Sequence, residues 1–236
     1  LMKIGTNIQF TPYLKVRSFT EGKKISVLTE NTESMQAVRF TYVTDASGEQ
    51  AFESFGWMNG QYVMYVVPAG VEVVELGYRA SGYNAERTGD FVTDDAEMTR
   101  LWQMCYDTLY VTMRDNFMDC PDRERAQWWG DATNEMEQIL YSMDENSYLL
   151  YEKGLRQMLG WLITGMGTDR DDALATVNPI TNAFFELPVQ QLAGLVGIWN
   201  YYLYTGRTYI LEETFESCVR YLEKWKIEDG GLVLHR

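Results

Sequence analysis

A chain of 236 residues, 46% of them hydrophobic and 23% charged, can bury one large core or two modest ones and does not have the composition of a disordered protein. Its 34 acidic and 20 basic residues give a formal charge of −14, which argues against nucleic acid or anionic lipid as a partner, since both are held mainly by Lys and Arg. Three cysteines without a CxxC pair, and His235 as the one histidine, argue against a disulfide scaffold, a structural zinc site and a Ser-His-Asp triad.

From residue 1 to about 92 the pattern is that of strands. Leu1–Thr6 lacks the charged and apolar regions of a signal peptide, so no compartment is legible. Lys24–Thr29, Gln36–Thr44, Gln61–Val67 and Val71–Arg79 are rich in β-branched and aromatic residues, and Val38, Phe40, Tyr42 and Thr44 alternate onto one face. Asp45–Gly48, Asn59-Gly60 and Pro68-Ala69-Gly70 supply turn signals, Asn59-Gly60 being read as a hairpin turn. Short antiparallel strands at this spacing predict a β-sandwich over residues 1–92.

Near Thr93 the period changes. Asp94 and Glu97 have the form of an N-cap and its reciprocal partner, and Met98, Leu101, Trp102, Cys105, Leu109, Thr112 and Met113 recur at helical spacing. Helices are predicted over about 94–115, 131–144, 147–165, 186–205 and 208–226, with Gly206 ending the fourth. Helices joined in pairs by loops fit an α/α hairpin array over residues 93–236. No run of about 18 apolar residues suggests a membrane span. The last stretch, Asp229–Arg236, has no polar finishing helix, so the helices are expected to belong to a larger helical domain.

Residues 115–131 stand apart. Pro121 interrupts the helical pattern, and the segment holds Asp115, Asp119, Asp122, Glu124 and Asp131 with Arg123, Arg125, Trp128 and Trp129. Sugar sites need this mixture: carboxylates and Arg bond hydroxyls, Trp stacks on the apolar ring face, and cleavage needs a protonated carboxyl near the leaving oxygen. Asp119 and Asp131 could supply like charge, and Trp128 or Trp129 desolvation, to keep Glu124 protonated. The plainer readings remain open at this point: Asp119 as a turn cap, Glu124 and Arg123 as a salt bridge, the two Trp as core, or the acids as a calcium site.

Asp119-Cys120-Pro121-Asp122-Arg123-Glu124-Arg125 followed by Trp128-Trp129-Gly130-Asp131 resembles the signature of bacterial α-L-rhamnosidases of glycoside hydrolase family 78. Pro68-Ala69-Gly70-Val71, Gly77-Tyr78-Arg79, Glu186–Leu192 and Trp199–Gly206 extend the likeness, which covers roughly residues 60–236. The resemblance implies an antiparallel β-sandwich followed by the N-terminal part of an (α/α)6 barrel. It implies an inverting hydrolase that releases terminal α-L-rhamnose from a glycoside or polysaccharide without cofactor or metal. The alternatives are a carbohydrate-binding or scaffold protein without catalysis, or a hydrolase for another terminal sugar. Carried over by position, Glu124 is the general acid, Asp119 and Asp131 hold sugar hydroxyls, Arg123 orients loop or sugar, and Trp128 is a pocket wall. Trp129 stands between wall and core. Many members have one more residue between the Arg and the Glu, which are adjacent here. The family's general base is expected beyond residue 236. Glu135, Glu137 and Glu186 are assigned to favourable helix-start electrostatics rather than to catalysis.

Overall fold

The structure is a computed structural model, and it describes residues 1–29, 38–165, 167–168, 171–179 and 186–234. Two compact units divide the chain: Leu1–Gly82 with Pro121–Arg123, and Tyr83–Cys120 with Glu124–Arg236.

The first unit is built on β1 (Met2–Ser18), β2 (Lys24–Thr29), β3 (Val38–Val43), β4 (Gly48–Glu53), β5 (Met58–Val66) and β6 (Glu72–Ser81). These form one antiparallel sheet in the order β3-β2-β5-β1-β4, with β6 also paired to β1. The 17-residue β1 is long enough for three partners: Met2–Phe10 pairs with β5, Tyr13–Ser18 with β4, and Gln9–Arg17 with β6. The sheet curls on itself into a sandwich. Phe52 of β4 lies 5.6 Å from the ring of Phe40 and 5.5 Å from that of Tyr42, although β3 and β4 stand at opposite ends of the pairing order. Alternation along β1 and β2 sends Phe10, Leu14, Val16, Ile25 and Val27 into the core between the layers.

The predicted strand Lys24–Thr29 coincides with β2, and the other three overlap β3, β5 and β6; residues 36–37 of the second prediction lie outside the described residues. Two of the turns also fall where expected, Asp45–Gly48 leading from β3 to β4 and Pro68-Ala69-Gly70 from β5 to β6, with Gly70 at φ 85°. Asn59-Gly60 is a correction. Both residues lie inside β5, opposite Gln9 and Ile8 of β1, and the Asn59 amide donates to Asn7 Oδ1 at 3.3 Å. Pairing with a distant strand here overrides the local turn preference. β1 and β4 were not anticipated.

The second unit contains α1 (Ala96–Val111), α2 (Trp129–Ser142), α3 (Asn146–Gly160), α4 (Pro188–Thr205) and α5 (Tyr209–Glu223), then a small hairpin of β7 (Lys226–Ile227) and β8 (Val233–Leu234) that the sequence reading missed. Short connections join α2 to α3 and α4 to α5, which makes each pair an α/α hairpin. The cap of α1 is Asp95, one residue later than predicted: its carboxylate accepts the backbone N–H of Glu97 at 2.9 Å and of Met98 at 3.3 Å, while Asp94 takes the Thr93 hydroxyl. Gly206 ends α4 in the left-handed region, at φ 69°, as its position suggested. Of the expected apolar stripe on α1, Leu109 is buried, but Met98, Leu101 and Cys105 are exposed.

On α2 the buried positions Trp129, Ala132, Thr133, Met136, Ile139 and Leu140 follow helical spacing closely. They meet α4 where it presents Gly194 and Gly197. A Cβ on Gly194 would come 2.2 Å from the Met158 sulfur and 3.3 Å from the Trp129 ring, and the Gly197 carbonyl accepts the Tyr151 hydroxyl at 2.6 Å. A buried polar knot ties α3 to α4 and α5: the Glu152 carboxylate accepts the hydroxyls of Tyr201 and Tyr209 and pairs with Arg156 at 3.3 Å and Arg207 at 3.5 Å.

Gly194→Ala should lower stability by about 1–3 kcal/mol, because the added methyl overpacks a filled interior. A denaturant melt of the variant checks this, and an unchanged midpoint would contradict the close approach.

Candidate functional site

The acidic segment is irregular from Thr112 to Trp128, between α1 and α2, as Pro121 suggested. Its neck is closed by a reciprocal pair. The Asp119 N–H donates to the Ala126 carbonyl at 2.9 Å, and the Ala126 N–H donates to Asp119 Oδ1 at 2.9 Å. Asp119 therefore shapes the loop with one carboxylate oxygen. Between these ends the chain turns sharply, and Arg125 adopts φ 54°, a conformation that few residues other than Gly accept.

Glu124 is exposed. Its backbone N–H lies 3.3 Å from the Cys120 sulfur, and its Oε2 accepts the indole N–H of Trp128 at 2.8 Å. Trp128 thus orients the Glu124 side chain while its ring stays half-buried. Trp129 is fully buried in the helical core, which places it as core rather than wall. Asp131 is in the first turn of α2, where the helix dipole favours negative charge. Its carboxyl is nevertheless raised above the usual aspartate range, first by desolvation and then by the charges of Asp119 and Glu124. Asp119 and Glu124 are thus close enough to Asp131 to act on it electrostatically.

Arg123 belongs to the other compact unit, with Pro121 and Asp122. It is exposed, and its neighbour Asp122 makes an ion pair with Arg39 there. Glu124, Asp119, Trp128 and Asp131 all fall in the helical unit.

Two further residues bear on the site, one passed over in the sequence and one read differently. Gln127 is buried and ties three distant segments to the loop: its Oε1 accepts the Phe117 N–H at 3.3 Å, and its Nε2 donates to Gln157 Oε1 at 3.3 Å and to the Asn178 carbonyl at 3.2 Å. Its signal was only its place beside the tryptophans. Glu135 had been assigned to helix-start electrostatics, but α2 begins at Trp129, which places Glu135 in the second turn with a buried carboxyl oxygen. Its proton affinity is raised well above normal by burial and by the charges of Asp131 and Asp119, against a bond from the Thr112 hydroxyl. The other two glutamates have specific partners. Glu137, beyond the first turn, takes the Asn200 amide, and Glu186 is buried and accepts the Tyr221 hydroxyl at 2.8 Å. Among the described residues, no group of three or more His, Cys, Asp or Glu side chains is arranged to hold a metal ion, and no helix is long and apolar enough to cross a membrane. An apolar cleft lined by Trp102, Cys105, Tyr106, Leu109 and Tyr141 holds no carboxylate and is separate from this site.

Replacing Asp119 by Ala should open the neck, costing about 1–3 kcal/mol for the Ala126 N–H left unpaired, while Asp119→Asn keeps the acceptor oxygen. Amide exchange at Ala126 should quicken in the Ala variant only. Equal protection in both variants would show that the neck does not depend on this bond.

Comparison with known proteins bears on what this arrangement belongs to. The family model described as the bacterial alpha-L-rhamnosidase 6 hairpin glycosidase domain matches residues 86–234. The fold is similar to the family 78 rhamnosidase of Bacillus sp. GL1 (TM-score 0.79, 20% identity, covering 98% of this chain and 24% of that one). It is also similar to the α-L-rhamnosidase of Dictyoglomus thermophilum (TM-score 0.70, 21% identity, 94% and 26%) and to the Klebsiella oxytoca rhamnosidase with rhamnose bound (TM-score 0.78, 12% identity, 99% and 50%). The chain thus spans from about a quarter to a half of the length of these structures. No curated protein matches it in sequence. With the family model covering residues 86–234, the whole helical run from the residues before α1 to β8, the chain belongs to the bacterial α-L-rhamnosidases with a six-hairpin glycosidase domain.

Proposed function

We propose that this protein is a glycoside hydrolase that releases terminal non-reducing α-L-rhamnose with inversion, and that Glu124 is its general acid. The observation that carries this reading is the Glu124 carboxyl itself, exposed on a loop of the helical unit, aimed by the Trp128 indole N–H at 2.8 Å, and grouped with Asp119 and Asp131. In the reaction the Glu124 O–H gives its proton to the glycosidic oxygen as the bond from that oxygen to the anomeric carbon breaks. A water attacks the opposite face of that carbon and loses its proton to a second carboxylate, and such pairs stand about 6.5–9.5 Å apart. Asp131 and the second oxygen of Asp119 accept hydrogen bonds from ring hydroxyls, Trp128 covers an apolar ring face, and Arg123 orients the loop. No residue described here is assigned as that second carboxylate. The substrate class is a rhamnose-containing glycoside or polysaccharide.

Glu124→Gln in the complete protein should cut kcat by about 10²–10⁴-fold on a glycoside with a poor leaving group, with much less effect on an aryl rhamnoside whose leaving group needs little protonation. Unchanged turnover on both would remove Glu124 as the acid. Binding of L-rhamnose with no release by the unaltered protein would favour the carbohydrate-binding alternative.

Asp131 sets a pH dependence. Ionised, it accepts sugar hydroxyls with both oxygens at full charge, and its raised proton affinity means that it protonates, weakening that acceptance, at a higher pH than an ordinary aspartate. KM should therefore rise as pH falls, while ordinary aspartates are still ionised, and Asp131→Asn should flatten that rise. A KM–pH curve unaltered by Asp131→Asn would contradict the role.

A further inference from the structure

Glu135 is a half-buried titratable group beside this site, with one buried carboxyl oxygen, that the proposed chemistry leaves unused. It follows Asp131 by four residues on α2, so the two side chains leave the same helical face, with Cβ atoms about 5–6 Å apart. Its stem is partly accessible, yet Oε2 is buried and has no hydrogen-bond partner among the described residues. The groups that bear on this carboxyl are Asp131 on its own helix, Asp119 from the loop, and the Thr112 hydroxyl at the end of α1.

A buried carboxylate beside two other carboxylates is costly, whereas the protonated form removes the charge and gains an O–H donor. Burial and those same neighbours do raise its proton affinity well above the usual range. The charged groups that act on it, Asp131 and Asp119, are both acceptors. An acid–carboxylate hydrogen bond is stronger than one between neutral groups, and a single water can carry it across a gap.

We propose that Glu135 is a positioning residue for Asp131: it remains a neutral carboxylic acid and offers its proton, directly or through one water, to the carboxylate that holds the sugar. The proposal rests on the reading of Asp131 as sugar-binding. It explains why an acid occupies a place where an ionised side chain would repel its neighbours. Asp131 is oriented from behind, and no further charge is added beside Asp119 and Glu124.

The test uses the complete protein and two kinds of readout. The first needs no activity. The carboxyl carbon of Glu135, assigned in ¹³C spectra by its loss in Glu135→Gln, should keep its proton at neutral pH, and Asp131→Asn should lower its titration point by removing a neighbouring charge. Titration alongside the ordinary glutamates, or no response to Asp131→Asn, overturns the proposal even if the protein releases rhamnose. The second readout is kinetic. Glu135→Ala should raise KM about tenfold, the loss of one hydrogen bond to a charged group, with kcat little changed and the acidic rise in KM moved to higher pH. Glu135→Gln, which keeps a donor, should restore KM. A KM and pH profile untouched in Glu135→Ala, or Gln as harmful as Ala, overturns it. If the unaltered protein releases no rhamnose, the proposed function fails by itself, and the carboxyl titration still decides the Glu135–Asp131 coupling.

Discussion

The burial of Trp129 at the first position of α2 sets the geometry of everything around the acidic loop. A fully buried indole cannot rotate outward, so the helix is locked in phase: Ala132, Thr133 and Met136 follow it into the core, while Asp131 and Glu135 leave from another side. Trp128, one residue earlier and still extended, is turned away from that core and free to reach Glu124. The fit depends on α4, whose Gly194 leaves room for the Trp129 ring and Met158. A packing constraint between two helices therefore determines where a carboxylate four residues upstream of Trp128 is pointed.

The electrostatics follow from the same arrangement. Four acids, Asp119, Glu124, Asp131 and Glu135, share this region, and the effect of that crowding is distributed unequally. Asp119 spends one oxygen on the loop's own backbone, Glu124 is steadied by an indole, and the proton affinity rises at Asp131 and more so at Glu135, where water is scarcest. The cluster is thus graded by depth. Carboxyls of one chemical type acquire different protonation behaviour from their surroundings, which is what acid–base work with sugars requires.

Much of this was legible in the sequence where a signal is local. β2, the end of α4 at Gly206 and the break at Pro121 rest on alternation, a left-handed glycine and a ring without an N–H, each of which acts within a few residues. The loop itself was legible because clustered acids beside paired tryptophans fit neither a core nor a solvated linker, and the family likeness fell on the same residues. What could not be read depends on distant partners. Asn59-Gly60 looks like a turn until β1 arrives from fifty residues away to pair with it. Asp94 and Asp95 are equivalent as caps on paper, and the backbone direction chose the second. Gln127 gives no hint of its role because its three partners, Phe117, Gln157 and Asn178, are scattered along the chain. Glu135 was read as a helix-start glutamate because its burial comes from tertiary packing.

The closed neck has a further consequence. With Asp119 and Ala126 bonded to each other in both directions, the residues between them form a small ring whose ends are fixed from within. Lengthening that ring by one residue adds little to the entropy of closing it and does not need to move the ends. The extra residue that many relatives carry between the Arg and the Glu falls inside this ring. The fold can therefore absorb that change in length within the loop, without redesigning the helices on either side of it.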